Sequence, residues 1–177
     1  FILVHAAVGG VGLILCQWAK VLGAKVIGVV GSAAKAAIAR KNGCAHVLVQ
    51  GRDPIVDAVK KITKGKGVAV VYDSLGKDTF FESLDCLAPL GMMVSYGNAT
   101  GPAPSFSPLE LSKRGSLFIT RPSLFAYIAT RSDLDAAARE TFRVIASGKV
   151  KLRINQKYAL KDAAQAHRDL ESRKTTG

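Results

Sequence analysis

A glycine-rich turn near the start of the chain constrains the fold more than any other sequence feature. The apolar run Phe1–Ala6 leads into a Gly-Gly-Val-Gly turn at residues 9–12, and apolar residues then recur at helical spacing over Val11–Leu22. Gly23 is a typical signal for the end of a helix. A buried-type strand, a tight turn and a helix therefore follow one another directly, which is the order of a βα unit in a parallel sheet.

The same alternation continues along the chain. Further strands are predicted at Lys25–Val30, His46–Val49, Val68–Tyr72, Met92–Tyr96, Leu117–Thr120 and Val150–Tyr158. Further helices are predicted at Ala33–Asn42, Ile55–Thr63, Thr79–Leu87, Leu134–Ala146 and Asp162–Arg173. Strands rich in valine and isoleucine that alternate with helices predict a Rossmann doubly wound parallel sheet with helices on both faces, in a single α/β domain over residues 1–177.

The chemistry of the first turn fits a dinucleotide. Backbone N–H groups at a helix N-terminus, reinforced by the helix dipole, attract the negative charge of a pyrophosphate. Gly9 would let the backbone approach the phosphates, and Gly12 would let the helix pack closely on the strand, while Ala7 takes the place of the first glycine of the usual fingerprint. We therefore predict that the pyrophosphate of a dinucleotide is bound by Gly9, Gly10, Val11 and Gly12.

The end of the second predicted strand indicates which dinucleotide is bound. NAD-binding domains hold the ribose 2′-hydroxyl with an acidic residue about 20 positions beyond the turn. No carboxylate lies there in this chain. Gly31 leaves space, Ser32 can donate a hydrogen bond and Lys35 adds a positive charge, which together suit a 2′-phosphate. The sequence predicts NADPH as the cofactor.

Two later strand ends are expected at the same end of the sheet. In doubly wound sheets, ligands lie beyond the carboxyl ends of the strands. Ser74 follows the fourth predicted strand, and Tyr96 and Asn98 lie at the end of the fifth predicted strand. We expect Ser74 and Asn98 to form hydrogen bonds with the cofactor and Tyr96 to pack on its nicotinamide.

Composition narrows the range of partners. The formal net charge of +12 is typical of proteins that bind nucleic acid. The basic clusters Lys60–Lys66 and Lys149–Arg153 contain no aromatic residues on which bases could stack, so nucleic-acid binding is disfavoured. No apolar run reaches the ~18–20 residues that span a bilayer. Three widely separated cysteines favour a reduced cytoplasmic protein, and no histidine or cysteine spacing predicts a metal site.

The remaining motifs predict no catalytic residue in this chain. No tyrosine is followed four positions later by lysine, which argues against a short-chain dehydrogenase, and there is no Gly-x-Ser-x-Gly elbow. His5 lies near a buried strand end and is predicted to be structural. The chain begins at Phe1 without an initiator methionine, so we expect a piece of a longer protein.

Motifs spread over nearly the whole chain carry a resemblance to a known family. They are HAAVGGVG at 5–12, QWAK at 17–20, VYDSLG at 71–76, SYGN at 95–98, GSLFITRP at 115–122 and AAQAHR at 163–168. Together they closely resemble the zinc-free NADPH:quinone oxidoreductases of the medium-chain dehydrogenase superfamily, which are relatives of ζ-crystallin. The resemblance implies that an N-terminal catalytic domain is absent from this chain and that the intact enzyme transfers a hydride from NADPH to a quinone.

The resemblance also implies roles for individual residues and an assembly. It places the cofactor on the residues already named and adds Arg173 as a positive charge near the phosphates. Gln50 is a departure, because some members carry a tyrosine beside the adenine at that position, and we leave it out of the predicted site. The strand at 115–122 would pair with a second copy in a homodimer, whereas a helix over Leu124–Ile128 that covers this strand is the alternative.

Two other functions stay open at this point. One is a different zinc-free medium-chain reductase that acts on an enone or enoyl substrate. The other is a redox-sensing or RNA-binding protein that uses NADPH as a regulator, an alternative that the positive charge supports.

Overall fold

The computed structural model describes residues 1–172 and 175, and within them strands and helices alternate along most of the chain. The strands are β1 (Ile2–Val4), β2 (Val26–Val30), β3 (Cys44–Val49), β4 (Val68–Asp73), β5 (Leu87–Ser95) and β6 (Phe118–Thr120). The α-helices are α1 (Gly10–Val21), α2 (Ala33–Lys41), α3 (Ile55–Ile62), α4 (Phe80–Asp85), α5 (Leu109–Lys113), α6 (Leu124–Tyr127), α7 (Arg131–Ala146) and α8 (Ala163–Glu171). A 3₁₀ turn at Leu160–Asp162 precedes α8.

The described strands form one parallel sheet in the order β3-β2-β1-β4-β5-β6. In the centre, Leu3 of β1 lies opposite Ile27 of β2 on one side and Val71 of β4 on the other. The chain runs outward from β1 to β3 and then returns to β4 on the other side of β1, so the strand order reverses between β1 and β4. Such a reversal opens a crevice at the carboxyl ends of the strands, where doubly wound sheets bind ligands. The predicted Rossmann fold is confirmed.

Alternating residues of the strands face two separate cores. Leu3 and Ile27 pack in a core with side chains from α3 and α4, such as Val59. Val4 packs in the second core, which contains Leu13 of α1 and residues of α2. Because successive strand residues point to opposite faces, both faces of the sheet are covered by helices, as the apolar character of the strands predicts.

The fourth helix and the fifth strand differ from the prediction. Thr79 is the N-cap of α4 and lies outside the helix, which ends at Asp85. Strand β5 begins at Leu87, five residues before the predicted start. Its first half is irregular, because Leu90 adopts a positive φ of 61° and the register to β4 shifts between Val68 and Val70. Such irregularity breaks the regular alternation of a strand, which hides its start from the sequence pattern.

The predicted strand at Val150–Tyr158 is wrong. Val150 is buried, but Lys151–Asn155 are exposed and belong to no strand. The backbone of Lys151 instead pairs with the side chain of Gln17: the Lys151 N–H donates to Gln17 Oε1 at 3.0 Å, and Gln17 Nε2 donates to the Lys151 carbonyl at 3.2 Å. A strand needs a neighbouring strand to pair with, and the described part of the sheet offers none here.

Strand β6 lies at the edge of the described sheet. Helix α6 follows it, but Leu124, Phe125 and Tyr127 are all strongly exposed, so their side chains do not cover this edge. None of the helices within residues 1–172 and 175 combines the length and apolar composition that crossing a bilayer requires.

Candidate functional site

A cavity of about 300 Å³ opens at the carboxyl end of the sheet, between the turns that follow β1, β2 and β4. Gly9, Gly31, Lys35 and Ser74 line it, and all four are among the predicted site residues. The lining contains no carboxylate among the described residues. The topology therefore brings together a glycine turn, an open strand end and a cation that lie far apart in the sequence.

The glycine turn has the geometry that phosphate binding requires. The Gly9 N–H donates to the Ala6 carbonyl at 2.9 Å, and the Gly9 carbonyl accepts the Leu13 N–H at 2.9 Å, which starts α1 directly after the turn. A Cβ on Gly12 would lie 2.3 Å from the Ala6 carbonyl oxygen and 2.9 Å from the Ala7 carbonyl carbon. Only glycine lets α1 approach β1 this closely, so its N-terminus is held against the cavity.

The end of β2 forms a second wall. A Cβ on Gly31 would meet no atom within 4 Å, so this position faces open space. Ser32 is the N-cap of α2 and its carbonyl accepts the Lys35 N–H at 3.1 Å, although Ser32 does not itself line the cavity. The Lys35 ammonium donates to the Thr175 carbonyl at 3.3 Å. A positive charge and the N-terminus of α2 thus lie side by side, and both attract an anion.

The other predicted site residues that the structure describes do not line the cavity. Gly10 and Val11 form the exposed first turn of α1. The Tyr96 N–H donates to the Asp73 carbonyl at 2.8 Å, and burial, partly opposed by a hydrogen bond with Ser74, raises the pKa of its phenol. Asn98 is exposed in the turn that follows. Arg173 lies outside the described residues.

The turns after β4 and β5 are joined through their backbones. The Ala99 N–H donates to the Ser74 carbonyl at 3.1 Å, and the Thr100 N–H donates to the Leu75 carbonyl at 2.9 Å. A Cβ on Gly97 would lie 2.4 Å from the Ser74 carbonyl oxygen, so glycine is required for this approach. Ser74, Leu75 and Ala99 accordingly form one continuous wall of the cavity.

Gln50 and Leu170 are among the cavity residues that the predicted site leaves out. Gln50 follows β3 and lines the cavity, where its Nε2 donates to Glu82 Oε1 at 3.4 Å and its buried Oε1 has no hydrogen-bond partner within the described residues. Leu170 reaches the cavity from α8. The glutamine was left out because it departs from the tyrosine of the resembling family, although its place directly after a strand marks it, whereas no sequence signal marks the leucine.

Asp73 fixes the turn after β4. Its Oδ1 accepts hydrogen bonds from the N–H groups of Leu75 and Gly76 at 2.8 and 3.1 Å. Its Oδ2 accepts hydrogen bonds from the hydroxyls of Thr79 and Ser83, both at 2.8 Å. Asp73 is fully buried, and because a buried carboxylate is costly without hydrogen bonds, these four bonds hold the turn that carries Ser74 in place.

His5 is linked to the same carboxylate through Ser83. The hydroxyl of Ser83 lies 3.0 Å from His5 Nε2, and because its one hydrogen goes to Asp73, Nε2 must be the donor. Burial lowers the pKa of His5, although the negative charge of Asp73 opposes this. His5 is therefore neutral and buried, and it connects the turn after β1 to the turn after β4.

Comparison with known proteins places this geometry in a family. A family model described as zinc-binding dehydrogenase matches residues 10–142. The chain belongs to the zinc-binding dehydrogenase family. It is 56% identical over 177 residues to a quinone oxidoreductase of Salmonella typhimurium, with 99% of this chain and 54% of that protein covered. It is also 45% identical over 178 residues to a 2-haloacrylate reductase of a Burkholderia species, with 100% of this chain and 54% of that protein covered.

A solved structure has the same fold. The quinone oxidoreductase of Escherichia coli, complexed with NADPH, aligns with a TM-score of 0.95 and 53% sequence identity, over 99% of this chain and 55% of that one. The predicted likeness to the quinone oxidoreductases is confirmed. The chain spans about half the length of the curated relatives it matches.

The name of this dehydrogenase family implies zinc, and the residues described here do not fit a zinc site. No group of three or more His, Cys, Asp or Glu side chains within residues 1–172 and 175 could hold a metal ion. Cys16, Cys44 and Cys86 are all buried, and burial together with nearby carboxylates raises the pKa of Cys86 to about 12. Zinc binds thiolates, and such a thiol stays protonated at neutral pH.

Proposed function

We propose that this chain is the NADPH-binding domain of an oxidoreductase that transfers a hydride from NADPH to a quinone. The observation that carries the proposal is the cavity at the carboxyl end of the sheet. It is lined by the Gly9 turn, the open space at Gly31 and Lys35, and its described lining contains no carboxylate. An acidic residue in that position would favour NAD over NADP.

The described residues fit the cofactor part by part. The N–H groups of Gly10 and Val11, at the start of α1, would bind the pyrophosphate. Gly31 would leave room for the 2′-phosphate, and Lys35 and the α2 N-terminus would neutralise its charge. Gln50 Oε1 is a buried acceptor that a donor group of the cofactor could satisfy.

The cofactor supplies the hydride, and this chain supplies position and electrostatics. Asp73 and Ser83 hold the Ser74 wall, Tyr96 lies beside it, and Asn98 and Arg173 complete the proposed binding residues. We assign no catalytic acid or base to this chain. We propose that residues 1–177 form one domain and that the catalytic domain lies in the remainder of the longer protein.

Calorimetric titration of the 177-residue chain tests the cofactor assignment. We expect NADPH to bind at least ~10-fold more tightly than NADH, because charge-assisted hydrogen bonds to the 2′-phosphate contribute about 1.5–3 kcal/mol. Equal affinities for the two cofactors would remove the basis for NADPH.

Identifying the substrate class requires assays of the longer protein. We favour a quinone because the relatives that match over almost the whole chain include quinone oxidoreductases. The second candidate is reduction of an activated alkene, which the 45%-identical 2-haloacrylate reductase supports. Steady-state assays of the longer protein with a series of quinones and with a 2-haloacrylate, each with NADPH, distinguish the two by their kcat/KM values.

The assembly and location are also proposals. Strand β6 at the sheet edge, with Phe118 55% exposed and no cover from α6, supports a homodimer through residues 115–122. Three buried, unpaired cysteines among the described residues support a reducing compartment, for which we propose the cytoplasm.

A further inference from the structure

A second cleft, of about 440 Å³, opens at the amino end of the sheet, opposite the cofactor cavity. We call it the basic cleft. Its lining contains five cationic side chains and no carboxylate among the described residues: Lys20, Lys41, Lys149, Lys151 and Arg153. It shares no lining residue with the cofactor cavity. Its charge is therefore not explained by the cofactor.

The cations come from three separate segments that the fold gathers together. Lys20 lies in the last turn of α1, and Lys41 is the last residue of α2. The segment 149–153 is held against α1 by the reciprocal pair of hydrogen bonds between the Gln17 amide and the Lys151 backbone, at 3.0 and 3.2 Å. Val150, which is only 1% exposed, anchors the same segment. The cluster is thus built by specific contacts.

Neighbouring groups leave most of this charge uncompensated. The ion pairs found within residues 1–172 and 175 include none of the five cations. Lys20 and Lys41 lie in the last turns of their helices, where the negative end of the helix dipole stabilises a positive charge. Lys151 and Arg153 lie outside any helix, so the dipoles do not account for them. Gathering like charges costs free energy that a bound anion would offset.

We propose that the basic cleft binds a polyphosphate anion, either inorganic tripolyphosphate or the triphosphate group of a nucleotide. Lysine ammonium groups act as point charges for phosphate oxygens, and the guanidinium of Arg153 can hold two oxygens at once. A chain of phosphates carries the several negative charges that five cations require. The lining has no aromatic side chain on which a nucleic-acid base could stack, which favours a compact anion over a single strand.

Calorimetry with sodium tripolyphosphate tests the proposal. The 177-residue chain saturated with NADPH is titrated first, and then the triple variant Lys149→Gln, Lys151→Gln, Arg153→Gln. We expect the variant to bind tripolyphosphate at least ~10-fold more weakly, because three charge-assisted contacts are lost. The parent affinity should fall steeply between low and physiological salt. ATP in place of tripolyphosphate separates the two sources: equal binding indicates the phosphates alone, and tighter binding of ATP indicates a nucleotide.

A charge-matched control separates the cleft from general surface charge. The variant Lys60→Gln, Lys61→Gln, Lys66→Gln removes three exposed cations from another part of the chain, and thermal unfolding verifies that both variants are folded. Full tripolyphosphate affinity in the control supports the proposal. An equal loss in both variants overturns it. Tripolyphosphate binding by the NADPH-free chain but not by the NADPH-saturated chain also overturns it, because the anion would then occupy the cofactor cavity. Binding of an RNA oligonucleotide without any binding of tripolyphosphate also overturns it, in favour of a nucleic-acid surface.

A second variant tests the way in which the cleft is built. Gln17→Ala removes both hydrogen bonds to the Lys151 backbone and leaves all five charges in place. If the position of the segment matters, tripolyphosphate binding weakens although the net charge is unchanged. Unchanged affinity in a folded Gln17→Ala protein contradicts a built site and leaves only nonspecific attraction, which overturns the proposal.

Discussion

Individual glycines at the carboxyl end of the sheet serve different purposes. Gly12 lies where any Cβ would meet the backbone of Ala6 and Ala7, so its role is close packing of α1 on β1. Gly31 faces open space and borders the cavity, so its role is to leave room for a ligand. The sequence predicts both roles from the glycine turn and from the missing acid, whereas the distances that support them come only from the structure.

Substitution by alanine should affect stability at Gly12 and cofactor binding at Gly31. Gly12→Ala places a methyl group 2.3 Å from a carbonyl oxygen, and we expect a loss of about 2–3 kcal/mol in the free energy of unfolding. Gly31→Ala should leave stability nearly unchanged but weaken NADPH binding. Urea unfolding and calorimetry measure the two effects, and a Gly31→Ala protein as unstable as Gly12→Ala would contradict the assignment.

Lys35 provides the charge by which the proposed site selects its cofactor. Lys35→Glu should weaken NADPH binding by roughly 10-fold or more, because a charge-assisted hydrogen bond is replaced by repulsion. NADH, which lacks the 2′-phosphate, should lose far less affinity. Lys60→Glu, at an exposed position on α3, is the charge-matched control. Titration calorimetry with both cofactors decides, and equal losses for NADPH and NADH would place Lys35 away from the 2′-phosphate.

At the scale of elements, β6 is the most consequential strand outside the cofactor site. It pairs with β5 on one side through Met93 and Ile119, and the described structure has no strand on its other side. Proteins usually protect such an edge with charge, a bulge or a covering element, and α6 leaves it open. A second copy of the same strand is the simplest partner, because a two-fold axis pairs identical edges.

Phe118→Glu tests this arrangement without disturbing the backbone pairing to β5. A buried carboxylate at the centre of a strand-to-strand interface is unfavourable, so we expect monomers where the unmodified chain forms dimers. Phe142→Glu is the control, because Phe142 is 69% exposed and lies on α7 and not on the edge strand. Light scattering at micromolar concentration provides the readout. A parent chain that is monomeric under these conditions would refute the dimer.

At the scale of the whole molecule, the two ends of the sheet have different chemistry. The carboxyl end holds the cofactor cavity, where turns are tied together by Asp73, Ser83 and His5. The amino end holds the basic cleft, to which helix C-termini and the 149–153 segment contribute cations. A parallel sheet creates this division, because every strand ends at the same side and every helix returns to the other.

The buried network gives the stability of the molecule a pH dependence. Burial places the pKa of His5 below its ordinary value of 6.5. Below pH 6.5 the unfolded chain takes up a proton at His5 before the folded chain does, so stability decreases as the pH falls towards the folded pKa. The slope from this group is at most about 1.4 kcal/mol per pH unit.

His5→Gln should remove this contribution, because an amide can donate to Ser83 without titrating. The free energy of unfolding, measured by urea between pH 7.5 and roughly 5, should fall less steeply in this variant than in the parent chain. His46→Gln, at an exposed histidine, serves as the control. Identical pH profiles for the parent and His5→Gln would exclude His5 as the source.

The sequence by itself determined the alternation of β1 to β5 with α1 to α4 and the absence of an acid near Gly31, and it predicted the phosphate-binding role of the 9–12 turn. These features are local, because helical and strand periodicities and turn glycines act within a few residues. The same patterns gave a false strand at Val150–Tyr158, because alternation shows that a segment could pair but not whether a partner strand exists.

Only the tertiary structure decided which distant residues meet. The strand order places β1 beside β4, and this contact joins His5 to Asp73 through Ser83. The tertiary fold also brings Gln50 and Leu170 to the cavity, and it brings together the cations of the basic cleft. These neighbours are set by the packing of two cores on one sheet, a property of the whole chain that no short stretch of sequence contains.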